Sequence, residues 1–499
     1  MSKQEKSLRI TEQQFSLPIT LPIVQGNKDY REHKEILENI DRLLTQSGIE
    51  IALQEQELKK TQGAAKKILT KKDCLRIQRV TSQAMRCNII RLLSGESFRD
   101  LAFRLGESHL LQNFCDLVDF NRVRVPSKST LQAHSERFDE EQIRALINAL
   151  NLSTQTKTLG LAKQPDLSIV LIDSTCLETN IHFPVDWVLL RDIVRTLAKA
   201  MSCIRRHGLK HRIKEPLKFL SRMNTLCMAM SLGKRSKDAK RLRKETLRLM
   251  KKLVWCIEKH AIRYRNLLDK SWEETDLTRP QAEVILRRMD NILKQLPAAV
   301  KQAHERIIGE RPVKNSEKIL SLYESHTQVY HRGKAGGETE FGLQLLVGES
   351  AHGLIVDWDL VEGAPKNDTQ HVVPCLARLK AAGIRVAGMV GDKGFFSAKN
   401  SEYLQDKKIT DALCPRNVLD FQQRQKDAEF VAFQKRRAQT EARIGILKNR
   451  FIGRSLPVKG IVRQKKHVAL CVLSHNLWVL ARLLAREEKE KSAKLKRAA

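Results

Sequence analysis

Three acids carry the chemistry this sequence offers. Asp173 follows the apolar run 168–172, Asp392 follows IRVAGMVG at 384–391, and Glu441 stands in RAQTEARIGILK at 437–448. A carboxylate at the end of a buried strand is costly unless it caps a helix, pairs with a cation or binds a metal ion. In the third stretch Arg437, Glu441, Ile444 and Lys448 fall at i, i+4, i+7 and i+11, one stripe of a helix. Alone, that helix reads equally well as a solvated charged surface, and Asp173 as a turn residue with Ser174 and Thr175. Three acids that meet would repel, and divalent cations would neutralise them. Mg²⁺, with Mn²⁺ as a substitute, suits oxygen ligands and phosphate substrates. Two such ions can hold the attacking and leaving oxygens of an in-line displacement at phosphorus. Rival acids are Asp357 and Asp359, alternating in IVDWDL, and Asp368, in a turn after Pro365. Asp392 is preferred because it directly ends its strand and precedes Gly394, which permits close backbone approach. Glu178 and Asp186 read as surface or cap residues.

The charge balance names the substrate class. Lys and Arg number 90 against 57 Asp and Glu, a net +33 over 499 residues. That excess favours a polyanion, and nucleic acid fits better than a membrane surface. No apolar run reaches the roughly 18 residues of a membrane span. The longest, 468–485, is broken by Ser474, His475, Asn476 and Arg482 and reads as a core helix. MSKQEKSLRITEQQF has no apolar core of the kind a secretory signal needs. Ten cysteines contain no C-x-x-C pair, so neither zinc nor a disulfide framework is indicated. A reducing cytoplasmic, nucleoid-associated location is expected.

The elements that must position these residues follow from periodicity. Residues 1–30 show no clear period, and the N-terminal segment 1–70 is helical over 31–60, with Ile36, Ile40, Leu43 and Leu44 on one stripe. Residues 71–150 read as short helices with polar starts (Ser97 before FRDLAFRL, Ser127 before LQAHSERF). Their basic residues, Lys128 among them, suit a helix-turn-helix-like DNA-binding domain. Residues 186–318 form a basic helical block. Between 211 and 252 lie 14 Lys/Arg and 3 Asp/Glu, and Leu217, Leu242, Leu247 and Leu253 predict helical hairpins. Arg241, Arg243 and Lys244 are its candidate phosphate contacts. From 319 the expected strands are ILSLYES, TQVYHRG, ETEFGLQLLVGE (after Gly336-Gly337) and HGLIVDWDLVEG. A helix at 370–382, the strand before Asp392, a helix at 397–406 and a strand in ITDALCPR follow. The order β-β-β-α-β-α-β makes a mixed sheet flanked by helices. Residues 420–440 are polar and lead into the Glu441 helix; the tail 486–499 is charged and expected to fray.

Acids at strand ends gather at one edge of such a sheet, where ligand sites sit. At this point the chain resembles the DDE transposases of bacterial insertion sequences. The resemblance rests on Asp173-Ser174-Thr175, Gly391-Asp392-Lys393-Gly394-Phe395, and Arg437-x3-Glu441-x6-Lys448, which fits the Arg, Glu and Lys of a Y-x2-R-x3-E-x6-K signature. Gln434 stands where that signature has tyrosine. The resemblance implies an α/β, ribonuclease H-like catalytic domain over 160–185 and 319–480, interrupted by the basic insertion. It further implies Asp173, Asp392 and Glu441 as ligands of two Mg²⁺ ions, and Arg437 and Lys448, with Lys393 beside the second acid, on DNA. Water-driven cleavage at the element's end and attack by the freed 3′-hydroxyl on target DNA would follow, with a homodimer on the DNA. A nuclease that cleaves without joining, and a DNA-binding derivative with a dead site, are the alternatives.

Overall fold

The computed structural model describes residues 26–65, 69–119, 122–232, 238–331 and 339–498. The unassigned N-terminal 25 residues and Gly336-Gly337 lie outside them. Two compact units emerge: residues up to Glu178 with those from Gln344 onward, and the intervening Thr179–Leu343.

The first unit opens with helices α1 (Lys28–Gln46), α2 (Ile49–Ala65), α3 (Lys71–Ser94), α4 (Phe98–Glu107) and α5 (His109–Phe114). A two-stranded ribbon, β1 (Val118–Asp119) and β2 (Arg122–Val123), precedes α6 (Lys128–Glu136) and α7 (Glu140–Ser153). The polar starts act as expected: Ser97 and Ser127 accept from the amides of Asp100 and Thr130, and a Thr70–Asp73 capping box starts α3. The expected single helix at 31–60 is two, broken at Ser47-Gly48, where Gly48 takes φ +70°. β3 (Ile169–Glu178) then enters the sheet.

The second unit holds α8 (Asp186–Arg206), α9 (Leu217–Leu232), α10 (Ala239–Ser271) and α11 (Arg279–Ile307), then β4 (Gln328–His331) and the start of β5 (Thr339–Ser350). Its core explains the helices. On α10 the buried positions are Leu247, Met250, Val254, Ile257, Ala261, Tyr264 and Leu268, alternating steps of three and four. Of the four predicted core leucines only Leu247 is fully buried; Leu217 and Leu242 face solvent. ILSLYES forms no strand. Its main chain is held by α11 side chains: the Ile319 amide donates to Gln302 Oε1 at 2.7 Å, and Gln295 Nε2 donates to the Leu322 carbonyl at 3.1 Å. Asp186, expected at the surface or as a cap, is the first residue of α8, buried there and 2.9 Å from Arg306.

Back in the first unit come β6 (Ile355–Leu360), α12 (Val372–Ala381), β7 (Gly388–Gly391), α13 (Ala398–Asp406), β8 (Thr410–Leu413), α14 (Val418–Arg424) and α15 (Ala428–Ile446). A π-helical turn, Leu447–Ile452, follows, and α16 (Ile461–Ala498) closes the chain. The order is β5–β3–β7–β8, with β6 antiparallel on β5 and β3, β7 and β8 mutually parallel; β4 pairs with residues 339–342 of β5. This is a mixed α/β sheet flanked by helices; without a strand at ILSLYES, the elements after the insertion run β-β-β-α-β-α-β. α16 is apolar and long enough to cross a membrane, contrary to the sequence reading, but 89% of its apolar window is buried inside the molecule. It is a core helix: Asn476, fully buried, accepts from the Ile355 amide at 3.0 Å and donates to its carbonyl at 2.8 Å. Nor does the tail beyond Arg486 fray. It stays helical, with Glu488 3.1 Å from Arg42 of α1 and Lys489 3.5 Å from Glu35.

Candidate active site

Strand register brings the first two acids together. β3 and β7 are parallel neighbours with Leu171 opposite Val390. Asp173 lies two residues further along β3, and Asp392 two residues beyond Val390, just past the end of β7. Residues two apart along a strand share a sheet face, so Asp173 is on the face of Leu171, Val390 and Ala412. Asp392 directly follows the last residue of β7, as the sequence suggested. Asp173 does not end its strand: β3 runs on to Glu178, so this acid sits mid-strand beyond the shorter β7.

The same face is covered by α15. Phe430 is buried on Leu171, Val390 and Ala412, with Phe433 beside it. The stripe continues through Gln434 and Arg437 to Glu441, so the helix carries the third acid toward the other two. Gln434, in the tyrosine position, donates from Nε2 to the Ala412 carbonyl at 2.7 Å and the Gly391 carbonyl at 3.3 Å. It therefore ties α15 to the strand end that presents Asp392. On the neighbouring helical face Thr440 is buried, and Arg443 reaches the buried Glu349 of β5 at 3.4 Å. These anchors were not read from the sequence, because period alone does not say which polar residues face a sheet.

The surroundings of Asp173 disfavour its charge. Burial pushes the Asp173 carboxyl up to about 6, and the negative charges of Asp392 and Glu441 push the same way; the Ser174 amide and Arg437 oppose them. Ser174 N–H donates to Asp173 Oδ1 at 2.7 Å. Glu441 itself points outward, its side chain 60% exposed and 4.0 Å from Arg437. Among the described residues no three His, Cys, Asp or Glu side chains are close enough to hold a metal ion. The donor set is all oxygen and fits a divalent cation in kind.

The cations divide by role. Lys448, in the π-helical turn, donates to the Cys176 carbonyl at 2.7 Å and to Thr175 Oγ1 at 3.3 Å, which pins the strand that carries Asp173. Lys393 is exposed, its ammonium 5.6 Å from the Phe421 ring. Arg416, not singled out beforehand, holds the loop after Asp392 by donating to the Lys393 carbonyl at 2.9 Å. Lys128 is exposed at the start of α6. In the second unit, Lys244 pairs with Glu310 at 2.8 Å, Arg241 is exposed with Asp238 at 3.7 Å, and Arg243 is half-buried.

The rival acids separate cleanly. Asp357 is buried and held by two Arg378 hydrogen bonds of 2.8 and 2.7 Å; Asp359 lies 3.6 Å from the same guanidinium. Both are spent on structure. Asp368 is not. It accepts from Ser174 Oγ at 2.7 Å, and a β-carbon at Gly394 would meet Asp368 Oδ2 at 2.7 Å and Asp392 Oδ1 at 2.9 Å. Asp368 thus lies against the loop of Asp392, a fourth acid at the same edge, and Gly394 is the residue small enough to let both approach.

Residues 317–477 match the family model of the transposase DDE domain. The match contains Asp392, Arg437, Glu441 and Lys448, and Asp173 lies upstream of it. No curated protein and no solved structure matches the chain.

Proposed function

Starting from a chain that carries a transposase DDE domain, we propose that it is an Mg²⁺-dependent DNA transposase of insertion-sequence type with a ribonuclease H-like catalytic domain. The observation that supports the reading is the parallel pairing of β3, which carries Asp173, with β7, which Asp392 directly follows, under α15, the helix of Glu441. Asp173, Asp392 and Glu441 would hold the metal ions, which supply Lewis-acid activation of water and of the scissile phosphodiester. The chain's own groups do the rest. Arg437, beside Glu441, faces incoming phosphate once that carboxylate turns inward. Lys448 fixes β3, and Gln434 and Arg416 fix the loop of Asp392, so the acids stay aligned. A strand cut at the element's end would leave a 3′-hydroxyl, and the same site would direct that hydroxyl onto target DNA. A net charge of +33 brings the duplex to the protein. A homodimer joining two ends and a cytoplasmic, nucleoid-associated location belong to the same reading.

The test separates chemistry from binding. Asp392→Asn and Glu441→Gln should each lower Mg²⁺-dependent cleavage of an end-bearing duplex at least a thousandfold and leave duplex affinity within about twofold. Cleavage at the wild-type rate in either variant would remove that residue from the site.

A further inference from the structure

Trp478 of α16 has two guanidiniums over its ring. Arg450 Cζ lies 4.5 Å from the ring centroid and Arg482 Cζ 4.6 Å. Burial, and then the charge of Arg482, pull the Arg450 guanidinium below its usual range. Among the described residues neither arginine has a hydrogen-bond or ion-pair partner. The acids around them are engaged elsewhere. Glu32 and Glu35 lie 3.6 and 3.5 Å from Lys489, and Glu490 lies 2.9 Å from Arg486. These side chains line a cavity of about 850 Å³.

Two like charges held over one ring beside an open cavity lack an anion. Among the described residues no carboxylate supplies it. A guanidinium matches phosphate oxygens with paired donors, and two of them can grip one phosphodiester or two in succession. The cavity is far larger than a single phosphate, which fits a polymer passing through it. We propose that Arg450 and Arg482, held over Trp478, form a phosphate cradle that takes the sugar-phosphate backbone of DNA. The site is distinct from the three acids, yet joined to them. Arg450 and Lys448 share the π-helical turn Leu447–Ile452, and Lys448 holds the strand of Asp173. Backbone gripped at Arg450 is therefore fixed two residues from the group that positions the first acid.

The inference rests on the DNA-handling reading, and the experiment keeps the two apart. Binding of a 40-base-pair duplex is measured against salt for the full chain, for Arg450→Gln/Arg482→Gln, and for Arg450→Lys/Arg482→Lys. The glutamine pair should flatten the slope of log affinity on log salt by about 2, and the lysine pair should keep it, because each phosphate contact contributes about 0.9. An unchanged slope in the glutamine pair, with wild type binding the duplex, overturns the DNA cradle. If wild type binds no duplex, the proposed function fails and inorganic phosphate decides this site. A phosphate-dependent rise in melting temperature that the glutamine pair loses keeps the anion site and assigns it to free phosphate. No such rise overturns it.

Discussion

Under the proposed function, Asp173 is where activity works against stability. A carboxyl raised to about 6 by burial and by two neighbouring acids binds its proton more tightly folded than unfolded. Its ionisation therefore costs the folded state nothing below pH 3.8, and the cost grows as pH climbs through that value to about 6. Above that the penalty is roughly 3 kcal/mol, because each tenfold change in proton affinity between the two states is worth about 1.4 kcal/mol. In metal-free buffer with chelator, Asp173→Asn should thus raise stability to urea at pH 8 by up to that amount, by little near pH 4, and should abolish cleavage. Equal stability of variant and wild type at pH 8 would mean that Asp173 is not held among the other acids. That Asp392 directly follows a strand was legible because an acid closing an apolar run is conspicuous; Asp173 stands within β3 rather than at its end. The closeness of Asp368 was not legible. It depends on a hydroxyl from Ser174 and on the missing side chain of Gly394, neither of which leaves a periodic trace.

At the scale of elements, helices announced themselves more clearly than their limits. The stripe from Arg437 to Lys448 marked α15, yet the helix begins at Ala428, and it is Phe430 and Phe433 that seat it on the sheet. ILSLYES alternates as a strand should, but alternation shows only that one side is buried. Here the burial is against α11, whose Gln302 and Gln295 take the main-chain bonds a neighbouring strand would take. α16 carries a second pH dependence. His467 and His475 are buried, and burial lowers them to about 4 and about 3. A histidine lowered in the folded state leaves more protons on the unfolded chain, so stability is lost as pH falls below 6.5. At pH 5 the loss is about 2 kcal/mol per histidine, and denaturant midpoints for wild type should drop between pH 7 and 5. His467→Gln/His475→Gln should flatten that drop; a variant with the same pH profile as wild type would place the acid sensitivity elsewhere.

Over the whole molecule, the basic excess and the acids agree on one substrate, and the insertion between β3 and β4 carries much of the charge. Its cations are not equivalent. Lys244 already pairs with Glu310, whereas Arg241 is exposed with only a long contact to Asp238. Arg241→Gln should therefore flatten the salt dependence of duplex binding by about 1, and Lys244→Gln by less. Equal effects would show that the pairing with Glu310 opens on DNA. The charge of this region was plain in the sequence. Its core was not, because Leu217 and Leu242 mimic the true stripe while facing solvent. The central claim is that one site both cuts and joins. Its most direct test supplies a pre-cleaved duplex bearing a terminal 3′-hydroxyl, target plasmid and Mg²⁺, and measures joined product. Wild type should join donor to target, and Asp173→Asn, Asp392→Asn and Glu441→Gln should not. Cleavage of intact ends without any joined product would contradict the account and leave a nuclease.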